Sequence, residues 1–576
     1  MQLGIRERPE KSAQIPEERR RNKSMSNFHS SISRRDFMKG LGLAGAGGLG
    51  AAVLANNNLP VEFKDLDDVL SAGKALEGDH ANKVNNDPWW VATRDHENPT
   101  CNIDWSQITR YSGWNNQGAY VMPDNYLSSD YSGRRYTIID SVIAAANGTK
   151  PIDTLRMQQG INWMIANIDP NYYAGYQGYG DRKEDALLYA ATNGSHNCWV
   201  NPLYGSDRYN GSRPYLSLRS MTGTLGMHEF GYNDVKLQDY PKWQGTPEEN
   251  LILMRAVSRY FGASSVGAIK ITDNVKKIFF AKAQPFLFAP WHHLLKTAEY
   301  VEYPVPVDNY PIPIVFDDVP ADQGHYSYKR FGGDDKIVVP NALDNIFTYT
   351  VMLPETRFKY VCSIGMDPCS SIAYPLFTEI EQRLQTFIAG LGYNSMGGGV
   401  SAWGPGGAFG NLSGLGEQGR VSSTIEPRYG SGTKGALRML SDLPLAPTKP
   451  IDAGIREFCK TCGICATKCP GQAISYEGPR YDSPFWDCVS GYEGWHLDYS
   501  KCIGCTNCES YCPFFTMSNN SWVHGLVKAT IASTPTFNGF FKRTEEAFGY
   551  GPVYSPNHDQ WWAKENPIRG ASVDVF

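Results

Sequence analysis

Cys459-Lys460-Thr461-Cys462-Gly463-Ile464-Cys465-Ala466-Thr467-Lys468-Cys469-Pro470 and Cys502-Ile503-Gly504-Cys505-Thr506-Asn507-Cys508-Glu509-Ser510-Tyr511-Cys512-Pro513 are two copies of one spacing, Cys-x2-Cys-x2-Cys-x3-Cys-Pro. Three thiolates spaced in this way wrap one face of an iron–sulfur cubane, and the trailing proline forbids further helix. The pattern calls for two [4Fe–4S] clusters, with the fourth cysteine of each run serving the other cluster. Cys459, Cys462, Cys465 and Cys512 then bind one cluster, and Cys502, Cys505, Cys508 and Cys469 bind the other. Zinc prefers paired Cys-x2-Cys knuckles, and disulfides are open to an exported chain. Neither needs two full runs of four with a proline behind each. Cys101, Cys198, Cys362, Cys369 and Cys488 have no ligand spacing. Cys362 and Cys369 could pair, but buried free thiols are the simpler reading.

Working outward, Leu443-Pro444-Leu445-Ala446-Pro447-Thr448-Lys449-Pro450 reads as a proline-punctuated linker into the cluster domain. Behind the runs, residues 521–576 are aromatic and too apolar for a free tail, so they are expected to pack back on the core. Ahead of the linker, 101–445 mixes strand-like and helical segments. Residues 312–316 and 336–339 read as short strands, the first demoted towards an edge by Pro313. Pro247–Tyr260 reads as a helix with an acidic first turn, and 377–389 as another. Glycines at 397–399, 404, 406, 407, 430 and 432 let backbone approach a flat or bulky ligand closely. They form no dinucleotide fingerprint. There is also no Asp-x-His-x-x-Gly run, the source of a lower histidine in many corrinoid proteins. Trp89, Trp90 and Trp403 are candidates for a pocket wall, with core packing the default for each.

Of the 576 residues, the first 40 hold ten Lys/Arg against five Asp/Glu, whereas the rest are acidic overall. An acidic body argues against a nucleic-acid partner. The basic start has a particular shape: Ser33-Arg34-Arg35-Asp36-Phe37-Met38-Lys39, then an uncharged Gly/Ala-rich stretch to residue 55. That is a signal peptide, and the paired arginines fit the twin-arginine route, which exports folded proteins. A chain whose clusters are inserted in the cytoplasm needs such a route. Met25 is an alternative start. The longest uncharged run, 384–416, contains eleven glycines, which is wrong for a lipid-facing helix. Membrane attachment would then come through a partner. Residue types and spacing thus give an exported redox protein, either an enzyme or a two-cluster electron-transfer subunit without a catalytic centre.

Several fragments together resemble the corrinoid-dependent reductive dehalogenases. They are the Arg-Arg signal, Pro88-Trp89-Trp90-Val91, Ile103-Asp104-Trp105, Gly414-Leu415-Gly416-Glu417 and both cysteine runs. Gly113-Trp114-Asn115-Asn116-Gln117-Gly118-Ala119-Tyr120 and Asn566-Pro567-Ile568-Arg569-Gly570-Ala571-Ser572-Val573-Asp574 resemble the members that act on chlorinated ethenes, trichloroethene or dichloroethenes. The resemblance covers essentially the whole chain. It implies an α+β fold, with a nitroreductase-like corrinoid-binding core and a C-terminal two-[4Fe–4S] ferredoxin-like domain. The cofactor would be base-off cobalamin. The domains would be a removed signal at 1–55, an arm at 56–100, the catalytic core at 101–445, the cluster domain at 446–520 and an extension at 521–576. Tyr374 falls on the family's proton donor and Lys434 on its basic partner. Gly398, Gly399, Gly430 and Ser431 are candidate cofactor contacts. The family asparagine near Val400 or Ser401 is missing here, which implies a less polar pocket. A small integral-membrane anchor protein and a respiratory electron donor are the implied partners, at the outer face of the cytoplasmic membrane.

Overall fold

A capping box opens the first helix. Thr246 Oγ1 accepts from Glu249 N at 3.2 Å, and the Glu249 carboxylate accepts from Thr246 N at 2.8 Å. Pro247 takes a position whose N–H would be unpaired in any case. Helix α1 therefore runs over Pro247–Tyr260, the span expected from sequence. The computed structural model describes residues 85, 87–110, 159, 242–283, 312–327, 336–358, 372–397, 403–482, 491–498, 501–502, 505–516, 522–548 and 562–563. The chain divides into Met1–Gly78 and Asp79–Phe576, and every described residue belongs to the second unit. The expected signal peptide, Cys198, Cys362, Cys369, Cys488, Gly398 and Gly399 lie outside the described residues.

The strands are β1 (Ala92–Thr93), β2 (Val266–Lys270), β3 (Lys282–Ala283), β4 (Ile312–Asp317), β5 (His325–Ser327) and β6 (Lys336–Pro340). They continue as β7 (Asn345–Met352), β8 (Ser395–Gly397), β9 (Glu417–Gln418), β10 (Thr424–Ile425), β11 (Thr433–Ser441) and β12 (Ile451–Asp452). After α1 come helices α2 (Asp273–Lys277), α3 (Glu355–Phe358), α4 (Ala373–Gly390) and α5 (Gly406–Leu412). The cluster region holds α6 (Ile455–Cys462), α7 (Ile464–Thr467), α8 (Asn507–Ser510) and α9 (Pro513–Thr516), followed by α10 (Trp522–Ser533) and α11 (Asn538–Phe548). The fold class is α+β.

One four-stranded antiparallel sheet has the order β2-β7-β11-β8. Its central strand β7 is buried along nearly its whole length, so Ile346, Phe347, Tyr349 and Val351 alternate into two apolar layers. The second sheet has the order β3-β4-β6-β5, with β4 and β6 parallel. Here β4 lies inside the sheet, which corrects the edge placement expected from Pro313. The missing N–H falls opposite the two-residue β3, and Ile314 N donates to Ala281 O at 3.0 Å. Helix α4 begins four residues earlier than expected. Pro375 stands in the first turn, where amides have no intrahelical acceptor, so it does not delay the start.

The proline-rich stretch before the cluster region is no loose linker. Leu443, Leu445, Ala446 and Thr448 are buried, and Thr448 Oγ1 accepts from Ala268 N at 2.9 Å. Prolines forbid helix without forbidding extended chain in a core. One apolar cluster runs from Leu251 and Met254 of α1 through Phe347 and Met439 of the sheet to Phe458, Phe514 and Ile531. No helix among the described residues is long and apolar enough to cross a membrane.

Candidate functional site

Helix α6 starts at Gly454, which has a positive φ and no side chain to cap the exposed amides. Glu417, the acid of the Gly-Leu-Gly-Glu element, does this from the core. Its Oε1 accepts from Ala453 N at 2.7 Å and Ile455 N at 3.1 Å, and its Oε2 accepts from Arg456 N at 3.2 Å. A carboxylate at a helix N-terminus is also favoured by the helix dipole. Cys459 and Cys462 follow on the next turn of the same helix. Gly463 (φ +65°) ends it and turns the chain so that Cys465 rides on α7. Cys469 leaves α7 as an acceptor for Ala473 N at 3.2 Å. In the second run Cys508 lies on α8, and Cys512 precedes α9.

None of the nine described cysteines, Cys101 among them, forms a disulfide. Cys512 of the second run acts electrostatically on Cys459, Cys462 and Cys465 of the first, and Cys505 acts on Cys469. Cys508 feels Cys505 and Cys502, and also Cys465 of the first run. The fourth cysteine of each run therefore lies by the other run. Burial pushes the thiols of Cys459, Cys462, Cys465, Cys469, Cys508 and Cys512 above their ordinary range, Cys462 up to about 12, so an iron must displace the proton. No three His, Cys, Asp or Glu side chains among the described residues gather around one point as for a single ion. Thiolates on the corners of a cubane stand wider than the ligands of one metal. The donor sets fit two clusters.

The start of β11 reaches this region. The Ser431 hydroxyl donates to Glu509 O at 2.6 Å and lies within hydrogen-bonding reach of the Cys512 sulfur. A Cβ on Gly430 (φ +64°) would overlap the backbone of Phe514 and Phe515. The close neighbour of Gly430 is thus the second cysteine run, where sequence suggested a flat ligand. Lys434 is half-buried opposite Val351, just before a bulge in the β11–β7 register. Its ammonium is the charge that acts on the buried Glu509 carboxyl, whose pKa burial pushes up to about 7.

Tyr374 is the second residue of α4, whose body carries buried Glu381 and Gln385. Gly397 lies against those two side chains, close enough that a Cβ would overlap both. Trp403 is wholly buried beside Phe279, so it packs the core, and Trp89 is largely exposed. Buried His496 has both ring nitrogens engaged, with Arg480 O at 3.0 Å and the Tyr492 hydroxyl at 3.4 Å. Sequence reading missed Arg420, Lys528 and Glu509. The signal was present for Glu509, a carboxylate inside a ligand run, but Arg420 and Lys528 meet the site only through the fold.

These features define an iron–sulfur protein with two clusters built into the core of a larger α+β body. The family model for the reductive dehalogenase subunit matches residues 217–445, and that for the 4Fe-4S dicluster domain matches 458–516. The chain is 76% identical over 552 residues to a trichloroethene reductive dehalogenase of Dehalococcoides mccartyi, covering 95% of this chain and 99% of that one. It is 35% identical over 563 residues to the chloroethene reductive dehalogenase of strain VS of the same species, with the same coverage. Among solved structures, the catabolic reductive dehalogenase NpRdhA matches with 16% identity and a TM-score of 0.46. That match covers 82% of this chain and 51% of the other. The chain belongs to the reductive dehalogenase family. It is an oxidoreductase whose cofactors are a corrinoid and two [4Fe–4S] clusters.

Proposed function

We propose that the enzyme replaces chlorine by hydrogen on chlorinated ethenes, trichloroethene or dichloroethenes. The observation that carries this reading is the 76% identity, over 95% of the chain, with a relative named for trichloroethene. When bound, the corrinoid supplies the low-valent cobalt that breaks the carbon–chlorine bond. The eight cysteines of the two runs would hold the clusters, which would supply electrons one at a time. Tyr374 gives the proton that replaces chloride. A phenol with a pKa of about 10 is a weak acid, and the Lys434 ammonium makes it a better one by stabilising its anion. The segment from Ser431 at the Cys512 sulfur to Lys434 supports this reading, because it joins a cluster ligand to the basic partner within one strand entry. Of the candidate cofactor contacts, Gly398 and Gly399 are left for the corrinoid, because Gly430 and Ser431 pack against the second cysteine run. The twin-arginine signal carries the loaded protein to the outer face of the cytoplasmic membrane. There a small integral-membrane protein anchors it and a respiratory donor reduces it.

The test is chloride release by anaerobically reconstituted protein with a reduced viologen, over chlorinated ethenes, ethanes and phenols. Corrinoid-dependent release that is fastest from ethenes is expected, and a preference for phenols would overturn the substrate. Tyr374→Phe should slow turnover by about 10²-fold or more with cobalt and iron contents unchanged. Full activity in that variant would remove the tyrosine from the mechanism. Lys434→Met should slow turnover with Lys434→Arg partly restoring it; loss of cobalt instead would make Lys434 structural. Cell fractionation checks the location: salt or mild detergent should strip the protein from membranes, and recovery in the cytosol would refute export.

A further inference from the structure

Arg420 is buried, and each bond of its guanidinium goes to a backbone carbonyl. Nε and Nη2 donate to Cys459 O at 3.1 and 3.0 Å, Nη1 to Ser475 O at 2.7 Å and Glu477 O at 2.9 Å, and Nη2 to Lys460 O at 3.4 Å. Its flat face lies 4.9 Å from the Trp495 ring, and its backbone N–H donates to the Cys459 sulfur. Lys528 repeats the arrangement on the Cys512 side. It is buried, and Nζ donates to Pro427 O at 2.8 Å and Arg428 O at 3.1 Å. Neither cation bonds a carboxylate among the described residues. Arg456, also over the Trp495 ring, differs, because Glu493 faces it at 3.5 Å. Of the other charges near this set, Lys542 and Glu545 act on Cys462 with opposite signs, and Glu545 acts on Cys512 as well.

Buried charges are paired or bound to metals, so two cations with only carbonyl partners call for an anion. A [4Fe–4S] unit with four thiolates is an anion in both redox states and gains one negative charge on reduction. We propose that Arg420 and Lys528 are the counter-charges of the cluster held by Cys459, Cys462, Cys465 and Cys512, and that they raise its reduction potential. This rests on the ligand assignment proposed above. Fixed cations favour the reduced form over the oxidised one, because the added electron sits in their field. Carbonyl dipoles steady each cation without cancelling its charge. The other cluster has the carboxyl of Glu509 beside Cys508.

The experiment is an EPR-monitored potentiometric titration of the holoenzyme, with iron counted, for wild type, Arg420→Gln, Arg420→Lys, Lys528→Met and Lys528→Arg. Neutral variants should lower one midpoint potential and leave the other in place, and the charged replacements should bring it back towards wild type. Unchanged potentials at full iron content would overturn the proposal, and so would Arg420→Lys behaving like Arg420→Gln. Where a neutral variant loses half its iron, retention by the charged replacement supports the counter-charge role. Loss by both would assign the effect to the carbonyl bonds and overturn it. Cys459→Ser and Cys502→Ser test the ligand assignment separately, because each should alter a different EPR signal. The potential that moves should belong to the cluster that Cys459→Ser alters.

Discussion

At Glu417 a buried carboxylate does the work of the cap that Gly454 has no side chain to provide. Burial and the nearby Asp452 raise its pKa, while the amides of Ala453 and Ile455 pull it down. Three orphan amides lose their acceptor if it is removed, so Glu417→Ala should cost about 2–4 kcal/mol. The expected readout is loss of the cluster absorbance at lower denaturant; an unchanged midpoint would mean that water caps α6 equally well. Asp87 is a buried carboxyl of another kind. Its Oδ2 is sealed from solvent with no hydrogen-bond partner, and burial pushes its pKa from 3.8 to about 7 against the pull of Asn85, Arg428 and Arg255. Because the folded pKa is the higher one, the native chain holds an extra proton between these values. The associated stability is full below about pH 4 and is lost as pH rises to about 7. Asp87→Asn has no proton to lose. Its stability relative to wild type should therefore improve from pH 5 to pH 8, by at most about 3 kcal/mol, because only about two units of the shift lie above pH 5. Denaturant midpoints at the two pH values decide this, and a difference that does not change with pH removes the titration.

Two turn glycines of nearly equal φ, at Gly430 and Gly463, separate backbone strain from close packing. Around Gly463 nothing lies within 4 Å of an added Cβ, whereas around Gly430 the backbone of Phe514 and Phe515 blocks it. Gly463→Ala should cost only the left-handed penalty of about 1–2 kcal/mol. Gly430→Ala should cost more and move β11 off the second cysteine run, seen as lost iron and slower turnover. Equal behaviour of the two variants would mean that the contact at Gly430 yields easily. The same pair marks what could be read from sequence. Gly463 belongs to a ligand run whose meaning is set within a dozen residues, and α1 likewise announces itself through Thr246 and Glu249. Gly430 was legible as a close-approach glycine, but not for what approaches it. Its partner lies 84 residues further on and is chosen by the fold. Arg420 and Lys528 escaped notice for that reason, since their partners are carbonyls and carbonyls have no sequence signature.

Across the whole molecule, the cluster region has no core of its own. Phe458, Phe514 and Ile531 share one apolar cluster with the strands of the main sheet, and Phe358 of α3 meets Phe515 edge to face at 4.9 Å between centroids. Helices α10 and α11 cover α6 from outside, with the Lys528 ammonium bound to the carbonyls of Pro427 and Arg428. The buried stretch through Thr448 stitches α6 to β2 rather than separating two bodies. Metal ligation in such an arrangement is folding energy for the whole unit, because the unfolded chain has no preformed site. Cluster absorbance and tryptophan fluorescence should then be lost together as denaturant rises, in one transition under anaerobic conditions. Trp403, one of fourteen tryptophans, contributes to this test because it is buried beside Phe279 in a second core cluster that contains none of the cluster ligands. A fluorescence change that lags well behind the loss of iron would show that the sheets stand without the clusters, and the shared core would then be contact without cooperativity.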